Sequence, residues 1–198
     1  MDFPFYCLKF YFNFNLIKMS KVLLALLISL VYCNNLRSLS TFDFDSFYND
    51  LVDRHNFLRS KHSASPLTKL DDIAVLAQQT ADHCKELGHL EHYGKVYNGS
   101  SLGQNLYLVG GGAPTGAGVA NHWYEENVNY DYSTGQSKNG KTVGHFTQLV
   151  WKSSERIGCA VAKGVWLGFD PSYFVCCNYY PAGNVYGQYV QNVDVPTS

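Results

Sequence analysis

The spacing of apolar residues changes character along this chain, and that change limits the fold more than any other feature. Between residues 44 and 61, Phe47, Leu51, His55 and Leu58 recur at three- and four-residue steps, the repeat of one helix face. Thr41 or Asp43 can cap this helix by offering a side-chain oxygen to the first-turn N–H groups. Pro66 separates it from a second helix at about 71–87, where Ile73, Ala77, Ala81 and Cys84 form a stripe and Gly88 supplies a stop. A strand at 102–109, a hinge-like Gly110-Gly111-Gly112-Ala113-Pro114 and a third helix at about 115–127 follow. The polar, Gly/Tyr-rich tract at 129–141 reads as an exposed loop. Later, 157–162 and 173–180 are dense in β-branched and aromatic residues, and 185–193 has the composition of another strand. Helices first and strands last predict an α+β domain with helices stacked on an antiparallel sheet.

The N-terminus is of a different kind. Met19-Ser20-Lys21 leads into an uncharged run at 22–31, followed by Tyr32-Cys33-Asn34. This order of a basic residue, a short apolar core and a small residue at the cut describes a secretory signal peptide. The run is too short for a membrane span, which needs roughly 20 apolar residues. Residues 1–33 therefore read as an upstream extension plus a signal, the signal proper at about 19–33, with 34–43 as an N-terminal arm. A chain starting near Asn34 keeps 12 basic and 15 acidic residues, with no basic excess for a nucleic-acid backbone. It also keeps four cysteines, Cys84, Cys159, Cys176 and Cys177. In a secreted protein these read as two disulfides, with three connectivities open. Cys176 and Cys177 point to opposite faces of a strand and so need different partners. Asn98-Gly99-Ser100 is a glycosylation sequon, and Asn98 is the candidate acceptor.

Taken singly, the chemistry-bearing residues say little. His92 sits in a loop after the second helix, Glu125 and Glu126 follow Trp123-Tyr124, and no HExxH or CxxC spacing accompanies them. Their order is more informative. His55-Asn56-xx-Arg59, Gly103-Gln104-Asn105-Leu106, Trp123-Tyr124-xx-Asn127, Gly144-His145-Phe146-Thr147-Gln148-xx-Trp151 and Cys177-Asn178-Tyr179-x-Pro181-x-Gly183-Asn184 occur in sequence. Together they resemble the CAP superfamily of cysteine-rich secretory proteins, antigen 5 and pathogenesis-related protein 1, over roughly residues 44–193, with 194–198 as a tail. The chain is most similar to compact members that hold the CAP domain alone.

That resemblance implies a three-layer α-β-α sandwich with a central antiparallel sheet and a cleft lined by two His and two acids. The cleft positions fall on His92, Gln104, Glu126 and His145, with His89 as the fallback for His92. Gln104 stands where the family has Glu, and a neutral amide can neither act as a base nor balance a cation. His92 and His145 could hold Zn²⁺, and the lost carboxylate predicts that they hold it weakly. The resemblance further implies a Cys159–Cys177 bridge, which leaves Cys84 with Cys176, and makes His55, Arg59, Trp151, Tyr179 and Tyr180 scaffold. It also implies lipid binding, with Tyr130 and Tyr132 of the loop at 129–136 offering flat faces to a sterol or fatty acid. A secreted, monomeric carrier of a small apolar ligand is the expected function. A receptor- or host-protein-binding module and a metal-dependent hydrolase are the rivals. With no nucleophile motif and with Gln104 in place of Glu, catalysis is not expected.

Overall fold

A computed structural model describes residues 42–197, so the expected leader, signal and Thr41 cap lie outside the described residues. Helix α1 (Phe44–Ser60) starts at Asp43, whose carboxylate accepts the Ser46 N–H at 3.1 Å. Helix α2 (Asp71–Leu87) ends where Gly88 turns left-handed at φ 71, and its N–H returns to the Cys84 and Lys85 carbonyls. A glycine takes that conformation without the Cβ clash that another residue would meet. Strand β1 (Thr68–Lys69) lies between these helices, and a small hairpin of β2 (Val96–Tyr97) and β3 (Ser100–Ser101) follows α2. Strand β4 (Gly103–Gly110) then leads to α3 (Gly116–Tyr124), capped by the Thr115 hydroxyl, and to a 3₁₀ turn at Glu125–Asn129. The rest comprises β5 (Tyr130–Asp131), β6 (Gln136–Ser137), α4 (Gly144–Val150), β7 (Arg156–Trp166), β8 (Phe169–Tyr180) and α5 (Tyr189–Asn192).

The main sheet runs β1-β7-β8-β4. β7 pairs antiparallel with β8, and β8 with β4, but β1 pairs parallel with β7. The sheet is therefore mixed rather than wholly antiparallel. A parallel pair needs a long crossover, which the excursion from residue 69 to 156 supplies.

Strand alternation sorts the side chains into two layers of core. On one face Leu106, Ala160, Ala162, Phe174 and Cys176 meet Ala77, Ala81 and Cys84 of α2. Small residues bring this helix close: a Cβ on Gly158 would run into the Ala74 nitrogen and Ile73. The full burial of Phe174 and Ile73 stabilises this layer by about 1.5–3 kcal/mol per side chain. The opposite face carries Asn105 and Tyr179, reached by His55 of α1, and Trp123 of α3 donates its indole N–H to the Leu106 carbonyl at 2.9 Å. Buried Arg59 ties α1 to the end of α4 and the segment after it, donating to the carbonyls of Leu149, Trp151 and Ser154 as well as to that of Ser65. Trp151 and Tyr179 are core residues, whereas Tyr180 is half-buried against Tyr97.

Three further sequence expectations change. Residues 185–193 form no strand, because Asn184 (φ 57) and Gly187 (φ 80) turn the backbone out of an extended path before α5. The tract at 129–141 folds into the β5–β6 hairpin, with Gly135 at φ 71. Cysteine pairing also differs. Cys159 and Cys177, register partners on β7 and β8, form a disulfide. Cys84 and Cys176 are both buried free thiols, so the expected second bridge is absent among the described residues. The Cys84 thiol instead pairs with the backbone of Glu91, giving to its carbonyl and accepting from its N–H.

Candidate functional site

β4 is an edge strand, and its consecutive residues Gln104 and Asn105 point to opposite faces. Each organises one histidine. Gln104 Nε2 donates to Thr80 Oγ1 at 3.3 Å and to Asn178 Oδ1 at 3.0 Å. The Asn178 amide is oriented by its own donation to the Ile73 carbonyl at 3.1 Å. With both amide hydrogens used, Gln104 has its Oε1 left to accept from His92 Nδ1 at 3.0 Å.

The second pair hangs from the other face. Asn105 Nδ2 donates to the His145 carbonyl at 3.0 Å, and the His145 ring donates from Nδ1 to Glu126 Oε1 at 2.7 Å. Glu126 Oε2 accepts the backbone N–H groups of His145 and Phe146 at 2.9 and 3.2 Å, satisfying the otherwise uncapped start of α4. Burial pushes the Glu126 carboxyl up, but the His145 ring and these two N–H groups outweigh it and hold the carboxyl below its usual range. The Trp123 indole stacks on the His145 ring at 6.3 Å.

In both pairs Nδ1 faces an acceptor oxygen, which fixes each ring from behind, and neither Nε2 makes a hydrogen bond among the described residues. His92 is therefore joined to Gln104, and His145 to Glu126, while no hydrogen bond among the described residues links one pair to the other. His89 is engaged elsewhere, with the Leu87 carbonyl and, at 3.6 Å, Glu91. Among the described residues no group of three or more His, Cys, Asp or Glu gathers as a metal cage.

The aromatic loop lies in a different setting from the one its composition suggests. Tyr130 is fully buried, edge-on to Phe146 and Tyr132, and its hydroxyl has no hydrogen-bond partner among the described residues. Tyr132 is half-buried and stacks on His62 at 6.2 Å. Burial pushes both phenols up to about 12. The accessible surface here is a groove of ≈ 220 Å³ between the hairpin turn at 134–136 and Tyr186, Tyr189 and Val190. Those three residues escaped the sequence reading. Their only signal in the sequence is the apolar–aromatic run at 185–193, whose composition is that of a strand. Asn98 is exposed in the turn between β2 and β3.

The model of CAP, the cysteine-rich secretory protein family, matches residues 52–179. The chain belongs to the CAP family. It is 36% identical over 142 residues to the pathogenesis-related protein PR-1 type of Sambucus nigra, covering 70% of this chain and 78% of that one. To protein PRY2 of Saccharomyces cerevisiae it is 38% identical over 149 residues, covering 74% of this chain and 41% of that longer one. Its fold is similar to venom allergen-like protein 4 of Schistosoma mansoni, with TM-score 0.56 at 22% identity, covering 75% of this chain and 93% of that structure. The CAP match contains both histidine pairs, while the groove residues 186–190 lie beyond its end.

Proposed function

We propose that this CAP protein is a secreted carrier of a small apolar ligand, a sterol or a fatty acid, held at the groove between the β5–β6 hairpin and α5. The observation that carries this reading is the groove itself. Exposed apolar and aromatic groups, Tyr186 at 97% and Val190 at 54% exposure, face a glycine-bearing turn across ≈ 220 Å³. A concave, mostly apolar surface with a few hydroxyl and amide groups at its margin suits a ligand that is apolar over most of its length and polar at one end. The volume admits a ring or a stretch of acyl chain. The two-residue strands of the hairpin leave few hydrogen bonds to resist its displacement by the remainder.

The histidine pairs support an accessory role. A Zn²⁺ held jointly by the His92 and His145 Nε2 lone pairs, with solvent completing the shell, would have to sit at the open edge of β4, since the two pairs are anchored on opposite faces of that strand. Two imidazole ligands backed by one carboxylate make a weak site, of roughly micromolar affinity, in this reading, since Gln104 contributes no charge.

Delipidated protein titrated with a panel of sterols and fatty acids, with and without EDTA, tests this function. The expected result is saturable uptake that EDTA leaves unchanged and that Tyr186→Ala and Val190→Asp each weaken. Both positions are exposed, so neither substitution threatens the fold. Absence of uptake across the panel would overturn the carrier reading in favour of a protein-binding surface.

A further inference from the structure

The turn joining β7 to β8 breaks two local rules at the same point. Leu167 and Gly168 form its centre with φ 48 and φ 84, the positive pair of a two-residue hairpin turn. Such turns favour Asn-Gly or Asp-Gly, because a short polar side chain tolerates the left-handed region and a branched apolar one does not. Leu167 is also among the most exposed apolar residues of the fold, at 79%. Asparagine would relieve the strain and suit the exposure, yet the chain places leucine there. Val165 and Phe169 flank it at 56% and 51% exposure, and the Trp166 and Phe169 rings stack at 6.3 Å. Residues 164–169 carry no charge, while Lys163 and Asp170 bracket them, both exposed.

We infer that this hairpin tip inserts shallowly into a lipid surface. The tip is exposed and uncharged, so it enters an apolar layer without desolvating an ion. Trp166 lies one residue behind Leu167, half-buried against the α2-facing core layer, so that the remainder of its indole would lie at the headgroup boundary. One charge of each sign at the base matches a zwitterionic headgroup layer. The inference rests on the carrier reading in one respect: a protein that moves a water-insoluble ligand must meet the membrane that supplies or receives it. The tip is separate in sequence from the groove at 134–136 and 186–190, so ligand holding and membrane docking fall on different residues.

Phosphatidylcholine vesicles test it, with Trp166 as the probe. Trp123 and Trp151 are each 1% exposed, so a vesicle-induced blue shift in emission reports position 166. The expected result is a blue shift with co-sedimentation, and a loss of about fivefold in partitioning for Leu167→Asn. Because Asn suits the turn, this variant keeps or raises the wild-type melting temperature, so loss of docking is not loss of fold. Uptake of a cyclodextrin-solubilised sterol stays at the wild-type level in Leu167→Asn, which separates failure of docking from failure of ligand binding. No shift with vesicles overturns the inference. So does a vesicle-free dimer that Leu167→Asn dissociates, since the tip is then covered by a second copy.

Discussion

Gln104 donates its side-chain amide to Asn178 Oδ1 at 3.0 Å while its carbonyl accepts from His92 at 3.0 Å, so one uncharged residue couples the sheet interior to an exposed histidine. A carboxylate at this position would face an acceptor that Ile73 holds in place. The amide is thus matched to its neighbours, with both its oxygen and its nitrogen hydrogen-bonded.

Gln104→Glu is expected to lower stability by about 1 kcal/mol at neutral pH, the net worth of one buried hydrogen bond. Urea unfolding measures it. The same exchange places a carboxylate behind His92, and Zn²⁺ affinity in calorimetry rises about tenfold if the ring is a ligand.

Acid should destabilise the fold through His55. Burial, opposed by the Leu51 carbonyl and aided by the charge of Arg59, lowers this ring from 6.5 to about 4. Between those values the unfolded chain binds a proton that the native ring does not, so stability falls as pH drops. The loss reaches about 3 kcal/mol at the lower end. Burial lowers His62 too, and Glu126, held below its usual range, adds a loss in the same direction at still lower pH. Urea midpoints from pH 7 to pH 4 should decline, and His55→Gln should flatten the decline while lowering the midpoint at pH 7.

Arg59 is a buried cation whose four named hydrogen-bond partners are all carbonyls. Arg59→Met should cost about 3–5 kcal/mol, because those carbonyls lose their donors in a site without water access. Arg59→Lys should recover only part of this, since an ammonium cannot span the fork. Thermal melts of both variants check the order.

Gly158→Ala should be destabilising by about 2 kcal/mol or more, because its methyl would press on the α2 backbone at Ala74 rather than on a side-chain tip that can move. Gly140→Ala also needs a backbone adjustment at φ 76, but it meets open space and should cost less. Paired denaturation curves check this ranking.

The limits of α1 and α2 and the existence of β4, β7 and β8 could be read from periodicity, caps and β-branched density, because each element buries a regular stripe. The mixed sheet could not. β1 is two residues long and pairs with residues far along the chain, which no local pattern records. The region at 185–193 misled for a related reason: apolar alternation describes both a strand and a surface groove, and the positive φ of Asn184 and Gly187 decides between them. Motif order brought His92, Gln104, Glu126 and His145 forward, but only coordinates show that they form two pairs on successive residues of one strand. Tyr130 illustrates the converse, a polar-loop residue whose ring serves the core.

A photoactivatable sterol crosslinked to the delipidated protein, followed by peptide mapping, tests the ligand account most directly. The account predicts label on the segments around 134–136 and 186–190, competed by unlabelled sterol and reduced in Val190→Asp. Competable label confined to any other part of the chain would contradict it.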